Sequence, residues 1–147
     1  MAKRFLGGFT LIELIVVMAI IAILAAAAIV AINPGRRQAD ARNTKRQNDT
    51  VQILSAIQQA GADNSGVLPA DVTSATSATC IGTDVACKDL SQELIQSAGN
   101  YLTAMPTDPS GGTTANTGYT VEYDGSTKRV TVAAPNAENS IVISKTQ

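Results

Sequence analysis

The sequence predicts an α+β protein. One long N-terminal helix, half membrane-spanning and half amphipathic, packs on a small antiparallel sheet head of about three strands. Three observations predict it. Residues 9–32 form an apolar run whose only charge is Glu13. A helical pattern resumes after Asn33-Pro34-Gly35 and continues to residue 60. Near the C-terminus, short alternating segments are separated by turn residues.

Residues 1–8 (MAKRFLGG) are short and polar and read as a leader, outside the folded protein. Residues 9–32 are long enough to cross a hydrocarbon core as a helix. A carboxylate costs about 2.5–3.5 kcal/mol at the centre of such a helix and less near its end, where Glu13 lies. Glu13 is therefore expected to have a partner. At Pro34 the chain loses a backbone donor, and Gly35 adds freedom, so a helix kink is expected at Pro34 and Gly35. Residues 33–60 then read as an amphipathic helix. Ala39, Val51, Leu54, Ile57 and Ala60 share its apolar face, with Arg42, Lys45, Arg46, Gln47 and Asn48 directed elsewhere.

Residues 61–147 make the head. Residues 61–88, rich in Gly, Ala, Ser, Thr and Asp, predict a long irregular loop. Asp89, with Gln92 three residues on, reads as a helix N-cap, and Leu90, Leu94, Ile95 and Ala98 line one face up to a stop at Gly99. Strands are expected at Tyr119–Tyr123, Arg129–Ala133 and Ser140–Ser144, with Asp124-Gly125-Ser126 turning between the first two. The head's aromatics are Tyr101, Tyr119 and Tyr123 alone, so its own core is small and needs another surface to pack on.

Charge divides the chain more sharply than its net value of −1 suggests. Residues 33–60 carry +3 and residues 61–147 carry −5. The plain reading is a solvated helix face below an acidic surface. The sharper one sets the basic neck against anionic lipid headgroups, or against acidic surfaces of neighbouring subunits. With no His, the commonest general base and metal ligand is missing. No phosphate-cradling glycine loop and no nucleophile–base pattern stands out, so no enzyme is expected. The basic neck could touch DNA phosphates without specificity, but nucleic acid is not an expected partner.

Cys80 and Cys87 enclose six residues. Two cysteines without His cannot complete a tetrahedral zinc site. A disulfide, and with it an oxidising compartment, is the better reading; two free thiols is the alternative. Orientation presents a conflict. Lys3 and Arg4 flank one end of the apolar run, and Arg36, Arg37, Arg42, Lys45 and Arg46 flank the other. Counting alone would keep the head in the cytoplasm. The disulfide argues for the opposite orientation.

The basic leader, Gly8, Phe9 and Glu13 together resemble the class III signal of type IV pilins and type II secretion pseudopilins. The resemblance implies a single-pass inner-membrane precursor with its head outside the cytoplasm. It implies cleavage between Gly8 and Phe9 by a prepilin peptidase and N-methylation of Phe9. It also implies incorporation, at an inner-membrane assembly platform, into a homo-oligomeric helical filament outside the cytoplasm or in the periplasm. Glu13 would answer the Phe9 ammonium of a neighbour and set register. Tyr101-Leu102, Pro106 and Asp108-Pro109 are similar to the stretch before the strands in major pseudopilins. Such heads often bind calcium, but here the last interstrand loop offers only Asn136, Glu138 and Asn139. No cofactor and no metal is expected, calcium being the one ion left open.

The expected function is a type IV pilus subunit; the alternative is the major pseudopilin of a type II secretion system. A membrane-anchored binding protein that never polymerises is the second alternative. An ordinary secretory signal cut near Ala25 to Ala28 is countered by Glu13 and by the Gly-Gly boundary.

Overall fold

A computed structural model describes residues 8–96 and 99–147, with backbone only at residues 31 and 32. Residues 1–7 of the leader, and Ala98 of the expected helix face, lie outside the described residues. The chain divides into two compact units, one ending at Arg37 and one running from Gln38 to Gln147.

The first unit is dominated by α1 (Leu11–Ile32). Its 22 residues rise about 33 Å, enough to cross a hydrocarbon core of about 30 Å. From Gly8 to Val30 every side chain is exposed, and Leu11–Val30 has a mean hydropathy of 2.9. A helix that is apolar all round and unburied fits a membrane-anchored precursor. Asn33, in the left-handed region at φ 45°, ends α1. Its side chain accepts the Arg36 N–H at 3.3 Å, and Pro34 stands at the first position of α2 (Pro34–Asp63), where a missing N–H costs nothing.

In the second unit, α2 packs on an antiparallel sheet in the order β1 (Thr79–Cys80), β2 (Thr120–Asp124), β3 (Arg129–Ala133), β4 (Ser144–Thr146). Two four-residue helices, α3 (Ala70–Thr73) and α4 (Ser91–Leu94), sit in the long connections. Ile53 and Ile57 of α2 meet Val121, Val130 and Val132 of the sheet in one buried cluster with Leu90, Leu94 and Tyr119. The alternation in β2 and β3 is the physical cause: Val121 pairs with Val132 and Tyr123 with Val130, on the face turned to α2. So the second surface that the small head core needs is α2 itself.

The structure departs from the sequence reading in four places. Residues 61–88 are not wholly irregular: they hold α3 and the two-residue strand β1, which pairs Thr79 with Val121. The helix expected after Asp89 is one turn, with Leu90 rather than Asp89 at its N-cap position. Asp89 instead accepts from the Ser91 N–H and hydroxyl. The last strand lies at Ser144–Thr146, not Ser140–Ser144, because residues 136–140 are drawn onto α2 by Glu138. In α2 the apolar face is buried except at Val51, which is 47% exposed, and Arg46 is fully buried, with Asn43, Asp49 and Thr50 buried as well.

Candidate functional site

Polar chemistry gathers at the start of α1 and between α2 and the head loops. Thr10 is the N-cap of α1, in extended conformation, and its hydroxyl accepts the Glu13 N–H at 3.2 Å. Thr10-Leu11-Ile12-Glu13 has the spacing of a capping box, and the Thr10 hydroxyl satisfies one helix-start donor. Phe9, Thr10, Leu11, Glu13, Leu14 and Val17 line a shallow cavity. Gly8 is exposed, and nothing lies within 4 Å of where a Cβ would stand. Thus Phe9, Thr10 and Glu13 share one helix end, on an exposed apolar surface.

Residues 7–29 match the prokaryotic N-terminal methylation motif. The chain carries a prepilin signal, the processing motif of type IV pilins and pseudopilins. No curated protein and no solved structure matches the chain significantly. Within the prepilin signal, Thr10 is the residue that sequence reasoning passed over, although its spacing to Glu13 was there to read.

The second place is an ionic clamp between α2 and the head loops. Arg46 donates from Nε to Asp108 Oδ2 at 2.6 Å and from Nη2 to Asp108 Oδ1 at 3.1 Å, and both side chains are fully buried. Its Nη1 reaches Glu138 Oε1 at 3.1 Å and Asn43 Oδ1 at 2.9 Å, and Nη2 donates to the Ser110 hydroxyl at 2.7 Å. Arg42 grips Glu138 with two donors at 2.6 Å each. Asn43 closes the loop backbone, donating to the Glu138 carbonyl and accepting the Glu138 N–H. Close by, the buried Tyr119 hydroxyl donates to Asp49 at 2.5 Å, and Lys45 pairs with the same oxygen.

The electrostatics follow from these contacts. The Arg42 hydrogen bonds outweigh desolvation and hold the Glu138 carboxyl down to about 2. Burial pushes the Asp108 carboxyl up, but the Arg46 guanidinium and the Ser110 amide win, leaving it below its ordinary value. Burial first, and Asp49 second, raise the Tyr119 hydroxyl well above the usual range, so it stays a donor. The loop behind Asp108 is held by close backbone approach. A Cβ at Gly112 would stand 2.4 Å from both the Asp108 nitrogen and the Thr117 carbonyl. At Gly118, with φ +81°, it would stand 2.7 Å from the Asp108 Cβ.

Of the residues offered for calcium, Glu138 has both oxygens engaged by guanidinium donors, and Asn139 donates its amide to Asp40. Among the described residues no group of three or more acidic or Cys side chains forms a metal cluster. Cys80 and Cys87 form a disulfide, with sulfurs 2.07 Å apart. Their loop is also held by backbone bonds, Lys88 N–H to the Cys80 carbonyl and Ile81 N–H to the Tyr119 carbonyl. The Arg46–Asp108 pair spans 62 positions and has no local sequence signal.

Proposed function

We propose that the chain is the structural subunit of a type IV pilus filament. The supporting observation is the prepilin motif carried on a helix whose described side chains are all exposed from Gly8 to Val30. Such a helix has two apolar environments open to it, first a bilayer and then a bundle of identical helices. Prepilin peptidase cuts between Gly8 and Phe9, and the Phe9 amine is methylated. Glu13 of an incoming subunit meets the Phe9 ammonium of a neighbour, because a carboxylate in a water-free core needs a countercharge. The small residues Ala25 to Ala28 allow close helix contact. The precursor sits in the inner membrane with its head outside the cytoplasm, and the disulfide fits that side. The protein's role is structural and needs neither cofactor nor metal.

Replacing Glu13 by Ala tests this. We expect processed, methylated protein that stays in the membrane and gives no filaments by electron microscopy. Normal filaments from Glu13→Ala would remove the role given to Glu13. A second reading, the major pseudopilin of a type II secretion system, is favoured by the Tyr101 to Pro109 stretch. Micrometre-long surface fibres decide for the pilus, and loss of protein secretion on deletion decides for the pseudopilus. A membrane-anchored binding protein that never polymerises predicts neither.

A further inference from the structure

The neck cations are not equivalent. Arg42 and Arg46 are paired with Glu138 and Asp108 of the head, and Lys45 with Asp49 one turn further along α2. Arg129 stands opposite Asp124 in the β2–β3 register. Arg36 and Arg37 are exposed and make no ion pair among the described residues. They are the adjacent arginines left without an acid.

The head holds a feature of opposite character. A cavity of about 410 Å³ is lined by Ala60, Val67, Leu68, Pro69, Glu93 and Tyr101 among others. One Glu93 oxygen accepts the Ala70 N–H at 3.1 Å. The other, Oε2, is buried on a part-exposed side chain and has no well-formed hydrogen bond, the Asp71 amide being the one backbone donor near it. Asp71 on α3 and Asp89 before α4 add negative potential at Glu93, and Asp63 holds the Tyr101 hydroxyl at 3.0 Å. None of these four carboxylates has an ion-pair partner among the described residues. Burial, then the Asp71 charge, push the Glu93 carboxyl up from its ordinary value. An unsatisfied buried acceptor of this kind is costly, and a charged donor relieves it.

We infer that this cavity receives the Arg36–Arg37 pair of a second copy of the chain. An arginine fits on three counts. Its aliphatic stem lies along apolar walls such as Val67 and Leu68. Its planar head stacks on an aromatic ring such as Tyr101. Its donors supply what Glu93 Oε2 lacks. Arg36 and Arg37 belong to the first turn of α2 and Ala60 to its last, so the contact joins unlike surfaces of two identical molecules. A heterologous contact of that sort does not pair off into a closed dimer, and repeated it generates a ring or an open helix. The inference rests on the filament reading and names a head-to-neck contact within it.

The test uses the full chain in a host that carries an assembly apparatus. Arg37→Cys and Val67→Cys, the latter at the exposed rim of the cavity, are combined, filaments are sheared and oxidised, and the products are separated without reductant. The expected result is a ladder of covalent oligomers about tenfold more abundant than with either single variant. Filaments without such a ladder overturn the inference and leave the filament reading standing. A wild-type chain that forms no filaments overturns that reading and the inference together. If the two-cysteine chain does not assemble, a charge swap decides. Combining Arg37→Glu with Asp71→Arg restores filament yield about tenfold over the poorer single variant if the contact exists. A yield that stays at the single-variant level overturns the inference.

Discussion

Arg46 is the residue on which the head turns. Its guanidinium is wholly buried and answers Asp108, Glu138, Asn43 and Ser110 at once. Removing one member of a buried pair strands the other charge, at a cost of about 3–5 kcal/mol. Arg46→Ala should therefore unfold the head far below the wild-type temperature, read by tyrosine fluorescence on the full chain in detergent. The paired replacement Arg46→Met with Asp108→Leu should lose much less, because no lone charge is left behind; equal losses would show that burial of charge is not the cause. Glu138 carries the pH dependence. Its folded carboxyl titrates at about 2 against an ordinary 4.5, so the unfolded chain takes up the proton first. Stability from this pair is then full above about pH 4.5 and drains away as pH falls towards 2. Glu138→Gln should lower the melting temperature at neutral pH and flatten its fall in that acid window. An unchanged acid slope would move the effect to another carboxylate.

Among the elements, α2 is what the head is built on, and its two sides are set by partners rather than by periodicity alone. Ile53, Leu54 and Ile57 are buried as their spacing predicts, whereas Val51 stays half exposed. The disulfide element is a short loop tied across the edge strand β1. Closing so few residues stabilises by about 2 kcal/mol in the chain-entropy account. Cys80→Ser with Cys87→Ser should cost that much in denaturant titration of the full chain. It should also speed hydrogen exchange at Lys88, whose N–H bonds to the Cys80 carbonyl. Unchanged exchange there would mean that the backbone bonds alone hold the loop.

At the scale of the whole molecule, the charge pattern and the signal pull the orientation opposite ways. The basic residues after α1 outnumber those before it, yet the prepilin signal and the disulfide favour an external head. A reporter fused after Gln147 should be active only outside the cytoplasm. Activity confined to the cytoplasm would reverse the proposed topology and remove the external filament with it. In the proposed filament each surface has a partner: like helices for α1, and an ammonium for Glu13.

The first helix of this protein and its end were legible in the sequence because the physics there is local. An apolar run interrupted only by Glu13 makes a membrane-length helix, and Asn33-Pro34 ends one helix and starts the next. The strands at β2 and β3 were legible too, since alternation and an Asp-Gly turn are nearest-neighbour signals. Only the tertiary structure decided the rest. Arg46 reads as a solvated cation until Asp108, 62 residues away, is brought against it. Glu138 draws its loop onto α2 and delays the last strand to Ser144. Burial turns such long-range charge pairs from near-neutral surface contacts into fixed points of the fold, and no local pattern encodes which charge will be buried.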